Sequence, residues 1–443
     1  MKKRKKGVSL FLAICMLFCA AAAPASAASY KISFTSKSDA VYFVNYDTQT
    51  VMYEQNAQKQ TNPGALTAVM TTMVTLEYCE KNSIPLETEV TAQSYLFDEF
   101  AGLGVTTADV RSGETVRIID LLYALMLQSA CEAANILADY VGGGLVSTFI
   151  DMMNAKAKQL GAEHTVFTNP HGLHDPNQVT TAYDQYLIVN AAMQNETFAE
   201  IATTVSYKMP ATNKHASERY VVHSNYMLSP VRGGSYYYKY AKGIKTGAAG
   251  DGTRSMISMA EQDGYRYLLI TMGAPTKTDT YEDALAFFKW GFSSFSLQNI
   301  LKAGDIAGEV KVSLSAQQDY VLVTAAEDVS AVLPKETDAT AVQQVPKLVK
   351  NVRAPVTKGE VLGRMDFKLA DEVIASVDLI AAEDVERSTL LYAGDVTLRF
   401  FSQPLVLIGL ILLILLLIVL FAWIRQIQKN RQRRAERIRR VGR

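Results

Sequence analysis

Hydrophobic and polar residues follow strand patterns at both ends of the first 295 residues and helical patterns between them. Residues 40–55 predict two strands joined by a turn at 47–49, and strand patterns return at 254–260 and 265–273. Mostly apolar stretches predict helices at 64–80, 117–141, 145–160, 181–194 and 279–290. This order predicts one sheet that is assembled from both ends of a domain, with helices on its faces.

The pattern changes at about Phe295, where short strand-like stretches replace the helices. They lie at 310–314, 320–324, 363–368 and 373–380. Residues 295–403 are therefore predicted to form a small β-rich second domain, lying between the first domain and the C-terminal apolar segment.

Both ends of the chain carry apolar segments next to basic residues. Residues 1–27 combine a basic start, an apolar run and a small-residue site, which predicts a secretory signal peptide cleaved after Ala27. Residues Leu405–Ile424 contain no charge, and at about 1.5 Å per residue they span about 30 Å, the hydrocarbon thickness of a membrane. The predicted segments are a signal peptide (1–27), a first domain (28–294), a second domain (295–403), a membrane span (404–424) and a basic tail (425–443).

Charge is divided among these segments, although 44 basic and 44 acidic residues give the whole chain a net charge of zero. Five basic residues lie in the signal peptide and nine in the tail, so 30 basic and 43 acidic residues remain in the body. The tail predicts a cytoplasmic end next to anionic lipid, with the body outside the cell membrane. An acidic body argues against nucleic acid as a partner.

Two of the four cysteines, Cys15 and Cys19, belong to the signal peptide, which leaves Cys79 and Cys131. Cys79 lies fourteen residues after Ala65, about 21 Å along a helix, so a bridge to Cys131 is not expected. The hydrophobic core, and not a disulfide framework, must hold the exported body together.

Three local motifs bear on chemistry. They are the tripeptide Lys245-Thr246-Gly247 after Gly243-Ile244, the tripeptide Ser129-Ala130-Cys131, and the loop 169–176 with His171, His174 and Asp175. The order of these motifs along the chain, together with residues 354–363 of the second domain, resembles that of the serine-type D-alanyl-D-alanine carboxypeptidases. These are low-molecular-mass penicillin-binding proteins of bacterial cell-wall metabolism.

The resemblance implies an α/β (α+β) fold, with the antiparallel sheet and flanking helices of penicillin-binding and β-lactamase-like domains. It also implies a peptidoglycan stem peptide ending in D-Ala-D-Ala as the substrate, with no cofactor and no metal. In this family, Lys245 would attract the terminal carboxylate of the peptide, and the backbone of its strand would pair with the peptide.

The family's first catalytic motif is missing from this chain. The family places a serine nucleophile and a lysine base three residues apart at the start of a buried helix, on one helix face. Here Ala65 and Ala68 occupy these positions, and no Ser-x-x-Lys occurs in the 443 residues. Ser129 of the second motif is kept, Cys131 replaces its usual Asn, and Lys245-Thr246-Gly247 is intact.

The leading hypothesis is therefore a pseudo-enzyme that binds stem peptides through Lys245, Thr246, Gly247, Ser129 and Cys131. Ser129 and Lys245 are the remaining candidates for catalytic residues. One alternative is an active carboxypeptidase with Cys131 as a substitute nucleophile, although a small, inert replacement for Asn is the simpler interpretation. Another is a membrane-tethered scaffold that binds a cell-wall enzyme as its partner.

Two further groups of residues have structural interpretations. His171 and His174 lie three apart beside Asp175, but the local sequence supplies no further metal ligands, so a structural loop is expected. The tyrosines at 236–238 and 240 could line a binding groove or pack on a half-buried face, and the sequence leaves both open.

Overall fold

The computed structural model describes residues 30–441, which divide into two units. The first unit contains residues 30–300 with 330–342 and 368–375, and the second contains 301–329, 343–367 and 376–441. The predicted signal peptide, 1–27, lies outside the described residues.

The described strands are β1 (Ala40–Asn45), β2 (Thr50–Gln55), β3 (Glu89–Thr91), β4 (Thr115–Arg117), β5 (Ser206–Met209), β6 (Arg219–Val222), β7 (Ala241–Ala248), β8 (Arg254–Gln262), β9 (Tyr265–Ala274), β10 (Phe295–Leu301), β11 (Ile306–Ser313), β12 (Tyr320–Ala325), β13 (Val329–Pro334), β14 (Gln343–Leu348), β15 (Val352–Arg353), β16 (Val361–Leu369) and β17 (Glu372–Ala381). The described α-helices are α1 (Thr67–Lys81), α2 (Ile118–Tyr123), α3 (Cys131–Val141), α4 (Val146–Gln159), α5 (Ala182–Ala192), α6 (Glu196–Thr203), α7 (Pro230–Gly233), α8 (Lys277–Ser294), α9 (Thr389–Phe401) and α10 (Pro404–Val441). Short 3₁₀ helices cover Gly64–Leu66, Ser94–Phe100, Tyr226–Leu228, Gly234–Tyr236 and Ala339–Ala341, and a π-helix covers Ala124–Gln128.

The first unit is built on a five-stranded antiparallel sheet in the order β2-β1-β9-β8-β7. Strand β1 pairs with β9 from Ala40 opposite Met272 to Asn45 opposite Tyr267. The sheet therefore joins the N-terminal hairpin to strands more than 200 residues later. This arrangement confirms the prediction of one sheet that is assembled from both ends of the domain.

Alternating side chains of these strands contribute to two cores, one on each face of the sheet. Tyr42 and Ile270 belong to the core that contains the helices between β2 and β7, whereas Phe43 and Leu269 belong to the core beneath α8. Successive side chains of a strand point to opposite faces, so the apolar strands bury both of their faces. The mostly apolar sequences of β1 and β9 follow from this arrangement.

The tyrosine-rich segment before β7 packs mainly against α8. Tyr238 stacks on Phe288, and Tyr240 contacts Phe292 at a ring distance of 6.4 Å. These contacts favour the packing interpretation of the segment over a binding groove.

The prediction of one helix over 117–141 is wrong. The chain forms α2, then the π-helix at Ala124–Gln128, and then breaks at Ser129, whose φ is +62°, before α3 begins at Cys131. A continued helix would pair the Met126 carbonyl with the amide of Ala130, but here this carbonyl accepts a hydrogen bond from Lys245. A residue 119 positions away therefore supplies the partner that allows the helix to break.

The second unit contains most of a six-stranded sheet in the order β14-β16-β17-β12-β11-β15. Strands β11 and β12 pair antiparallel, and their apolar side chains Val310, Val321 and Val323 are buried. The sheet confirms that this part of the chain is rich in strands. Two helices then follow, of which α10 contains a candidate membrane span, Pro404–Arg433, with an exposed, strongly apolar stretch of membrane length.

Candidate functional site

Ala65 lies in the 3₁₀ turn that immediately precedes α1, at the edge of a cleft of about 790 Å³. Strand β7 packs tightly on this turn. A Cβ at Gly64, whose φ is +53°, would lie 2.3 Å from the Ala248 carbonyl oxygen, and a Cβ at Gly247 would lie 3.4 Å from the amide nitrogen of Ala65. The methyl group of Ala65 thus stands beside the Lys245-Thr246-Gly247 strand and offers no nucleophile there.

Ala68 lies one helical turn further on and is 1% exposed. Its methyl group can neither accept nor donate a proton. The next lysine along α1 is Lys81, the last residue of the helix, which lies more than three turns away. The helix that begins beside the cleft therefore supplies neither the nucleophile nor the base of the first catalytic motif.

Lys245 projects from β7 into the protein and is fully buried. Its Nζ lies 3.0 Å from the Leu125 carbonyl oxygen, 2.8 Å from that of Met126 and 2.6 Å from Ser129 Oγ. Burial lowers the pKa of Lys245 to about 7, because the charged amine is removed from water. All three polar partners belong to the segment 125–129, so Lys245 holds the chain break at Ser129 in place.

The enclosed position of Lys245 bears on its expected contact with a ligand carboxylate. The three contacts occupy the hydrogen-bonding positions of the amine, and its side chain is 0% exposed. A carboxylate in the cleft would meet the hydroxyl of Ser129 first, with the amine behind it. Lys245 therefore acts on the cleft through Ser129.

Thr246 and Gly247 continue β7 along the cleft. The Thr246 hydroxyl lies 2.7 Å from Ser224 Oγ, which joins the strand to the segment after β6. Strand β7 is at the edge of the five-stranded sheet, so its outer backbone groups have no partner strand within the sheet. Such an edge can pair with an extended peptide.

Two cationic side chains that the motifs did not indicate, Arg254 and Lys277, also line the cleft. Arg254 opens β8 opposite Ala248, and Lys277 opens α8. No Asp or Glu is among the described residues that line the cleft. In an acidic body, this local set of cations and hydroxyls favours an anionic ligand. Both Arg254 and Lys277 are isolated cations outside any recognisable motif, so the sequence did not single them out.

Cys131 begins α3, and its Sγ lies 3.9 Å from the carbonyl oxygen of Ser129. Burial raises the pKa of this thiol to about 11, and the nearby Glu132 acts in the same direction. The thiol is therefore protonated at neutral pH, which does not suit a nucleophile. Cys79 is also buried, and both cysteines are free.

We expect the Cys131 thiol to be unreactive in the folded protein at pH 7.5, because the thiolate is the reactive species and the raised pKa leaves very little of it. Iodoacetamide labelling followed by mass spectrometry measures this directly. Denatured protein, in which both thiols should label rapidly, provides the control. Rapid labelling of Cys131 in the folded chain would revive it as a candidate nucleophile.

The loop with the two histidines lines the cleft. Hydrogen bonds of His171 and the close packing of Gly172 hold its conformation. His171 is buried, accepts a hydrogen bond at Nδ1 from the amide of Leu173 at 3.1 Å, and places Nε2 3.3 Å from Glu99. Gly172, with a φ of +81°, lies so close to Gly64 that a Cβ there would meet the Gly64 carbonyl oxygen at 2.1 Å. Among residues 30–441, no group of three or more His, Cys, Asp and Glu side chains is placed to hold a metal ion. The loop thus supports the turn that carries Ala65.

Comparisons with known proteins match both parts of the chain. A family model described as D-alanyl-D-alanine carboxypeptidase matches residues 25–276, and one described as the C-terminal domain of penicillin-binding protein 5 matches residues 295–387. The chain is similar to the D-alanyl-D-alanine carboxypeptidase DacF of Bacillus subtilis, with 25% identity over 346 residues that cover 78% of this chain and 85% of the relative. It is 27% identical over 357 residues to DacC of Escherichia coli, covering 77% and 83% of the two chains.

Solved structures show the same fold. Penicillin-binding protein 5 of Haemophilus influenzae matches with a TM-score of 0.68 and 23% identity, over 81% of this chain and all of that one. The DD-transpeptidase of Streptomyces K15 matches with a TM-score of 0.54 and 27% identity, over 59% of this chain and all of that one.

Proposed function

The chain belongs to the D-alanyl-D-alanine carboxypeptidase family, and we propose that it is a member that binds peptidoglycan stem peptides but has lost acyl transfer at position 65. One observation carries the proposal. Ala65 and Ala68 stand where the nucleophile and its base belong, beside a cleft lined by Ser129, Thr246 and Gly247, with Lys245 bonded to Ser129 behind the cleft wall. Members of a catalytic unit act together, so the loss of both removes the family reaction at this position.

The ligand that fits the remaining cleft is an extended peptide with a free C-terminal carboxylate. Its backbone would add to the edge of β7, and its carboxylate would meet the hydroxyls of Ser129 and Thr246. Arg254 and Lys277 would supply direct positive charge at the cleft wall, because Lys245 is enclosed. Recognition would rest on these local groups, since the body as a whole is acidic.

The proposed location is the outer face of the cell membrane. The apolar part of α10 is long enough to cross a bilayer, and the basic tail after it would remain in the cytoplasm by the positive-inside rule. With this topology, the cleft would lie on the side of the membrane where cell-wall peptides occur.

Binding of a fluorescent stem pentapeptide ending in D-Ala-D-Ala to the full chain in detergent micelles tests the proposal. We expect saturable binding by fluorescence polarisation, weakened about tenfold or more in Lys245→Ala, because loss of the amine releases the segment that positions Ser129. Lys242→Ala is the matched control, since Lys242 lies on the same strand but pairs at the surface with Glu261.

A peptide ending in L-Ala-L-Ala should bind more weakly, and the wild-type chain should release no D-Ala. Release of D-Ala would overturn the loss of the family reaction. Absence of any peptide binding, with a folded chain, would instead favour a scaffold that binds a cell-wall enzyme.

A further inference from the structure

Ser129 and Lys245 make a contact with the geometry of a nucleophile and its base. The distance from Ser129 Oγ to Lys245 Nζ is 2.6 Å, although 116 residues separate them in the chain. Ser129 is half-buried and lines the cleft, whereas Lys245 lies behind it and is fully buried. A ligand can therefore reach the hydroxyl but not the amine. Serine–lysine pairs of this kind form nucleophile–base dyads on unrelated folds.

The hydrogen bonds around Lys245 suit the neutral amine as well as the charged one. A neutral amine has two N–H donors and one lone pair. The two carbonyl oxygens of Leu125 and Met126 can accept the two donors, which leaves the lone pair to accept the hydroxyl proton of Ser129. In this state Ser129 donates to the group that would take its proton during attack.

The surroundings of Lys245 favour that neutral state. Among the described residues, no carboxylate lies within ion-pair distance of its Nζ, and burial lowers its pKa to about 7. Its titratable neighbours do not carry compensating negative charge at neutral pH. The pKa of the Cys131 thiol is raised to about 11, and burial lowers the pKa of His223 to about 4.

The backbone at Ser129 holds the hydroxyl in the cleft wall. Its φ of +62° is uncommon for a residue other than glycine, and such conformations persist only where the surroundings enforce them. Here the amide of Ser129 donates to the Leu125 carbonyl at 3.0 Å, and Oγ contacts Lys245. The hydroxyl is thus positioned before any ligand binds.

We propose that Ser129 and Lys245 form a serine–lysine dyad that accepts an acyl group from an activated carboxylic ester, with Ser129 as nucleophile and Lys245 as base. Ser129 Oγ attacks the ester carbonyl carbon while its proton passes to Lys245 Nζ. The bond from this carbon to the leaving oxygen then breaks, the activated alcohol or phenol departs as its anion, and Lys245 keeps the proton. Water then attacks the acyl carbon and gives one proton to the solvent. The bond to Ser129 Oγ breaks and Oγ takes the proton back from Lys245, which releases a carboxylic acid and restores the serine and the neutral lysine.

The leaving group limits this dyad to esters. An activated alcohol or phenol can leave as an anion, whereas an amine must be protonated on nitrogen before the amide bond breaks. The lysine that the family places three residues after its nucleophile is replaced by Ala68, and Lys245 lies enclosed behind Ser129. The dyad is therefore compatible with the loss of D-Ala-D-Ala cleavage. The dyad itself does not depend on the proposed function; only the choice of a D-alanine ester as the test substrate rests on it.

The test uses the full chain in detergent micelles and the para-nitrophenyl ester of N-acetyl-D-alanine. We expect a burst of nitrophenolate, and mass spectrometry should map the acyl group to Ser129. The acylation rate should rise as the pH increases through about 7, where Lys245 loses its proton. Lys245→Arg keeps a cation but cannot act as the base, so acylation should fall about a hundredfold or more.

Ser129→Ala should abolish the burst. Ser255→Ala is the matched control and should preserve the burst, because Ser255 also lines the cleft but makes no hydrogen bond to a lysine in the described part of the chain. Thermal unfolding of each variant shows that it is folded. Absence of the acyl group on Ser129 in the folded wild-type chain, or an equal burst in Ser129→Ala, would overturn the dyad. Stem-peptide binding is measured separately, so the dyad can fail while the proposed function stands, and the reverse.

Discussion

Replacing Ala65 with serine and Ala68 with lysine is expected to make the chain susceptible to penicillin at position 65, which the wild-type chain is not. Position 65 borders the cleft beside Gly247, and position 68 lies on the same helix face one turn later. The two substitutions restore a hydroxyl and an amine that can take its proton. A positioned general base contributes about 10²–10⁴-fold, so the double variant should label faster than Ala65→Ser alone by about this factor. Fluorescent penicillin and mass-spectrometric mapping of the adduct measure it.

The matched control combines Ala65→Ser with Ala68→Met, which fills similar space without a base. This control should label as slowly as Ala65→Ser alone. Equal labelling of the two double variants would show that the lysine does not act as the base. No labelling of either folded variant would mean that the cleft has diverged beyond the two alanines.

Recovery in the double variant should be partial, because Cys131 stands where the family has Asn and its buried thiol is a poor hydrogen-bond donor. Adding Cys131→Asn should raise the penicillin acylation rate further. If the double variant already matched the rate of an active carboxypeptidase of the family, the replacement at 131 would be of no consequence.

A second large effect is expected in the pH dependence of stability. The pKa of Lys245 falls from its usual 10.5 to about 7 on folding, because burial disfavours the ammonium form. Between these values the unfolded chain holds a proton that the folded chain lacks, so the free energy of unfolding rises with pH. The expected slope is about 1.4 kcal/mol per pH unit. Stability from this group is full above pH 10.5 and is lost as the pH falls towards 7.

Comparison with Lys245→Met isolates this contribution, since methionine does not titrate. The carbonyl groups of Leu125 and Met126 lose their partner in this variant, which lowers its free energy of unfolding by an amount that does not depend on pH. From pH 7 to 9, the wild-type chain should gain about 2 kcal/mol relative to the variant, because the slope reaches its full value only above pH 7. Urea unfolding followed by Trp290 fluorescence, in a Trp423→Phe background, reports on the first unit. The folded-state pKa values of His223 and Cys131, about 4 and about 11, lie outside this window, and their titration in the unfolded state is common to both chains. A constant difference across the window would mean that folding leaves the pKa of Lys245 unchanged.

Much of the fold could be predicted from local patterns. The hairpin of β1 and β2, the helix α1 and the strands β8 and β9 lie close to their predicted ranges. In these elements, the spacing of apolar residues along the chain is enough to distinguish a strand from a helix. The prediction of one helix over 117–141 was wrong because the apolar pattern continues without interruption through the break at Ser129. A polar contact from a distant strand ends it, and local periodicity carries no information about such a contact.

The residues of the candidate site could also be predicted only in part from the sequence. Ala65, Ala68, Ser129 and Lys245 were identified by their positions in motifs, whereas Arg254 and Lys277 were not, because isolated cations have no motif. The role expected for Lys245, direct attraction of a carboxylate, depends on exposure. Its burial became visible only when the helical segment 125–129 was placed against β7.

The amino-acid sequence alone determined what this protein lacks and how it is divided. A missing hydroxyl and a missing amine are properties of single residues, and a charge-free segment of membrane length is a property of consecutive ones. Only the tertiary structure decided what the remaining groups can do. The pKa of Lys245, the break at Ser129 and the 2.6 Å contact between them arise from desolvation and pairing across 116 residues. These forces act through space, so the order of residues along the chain does not reveal them.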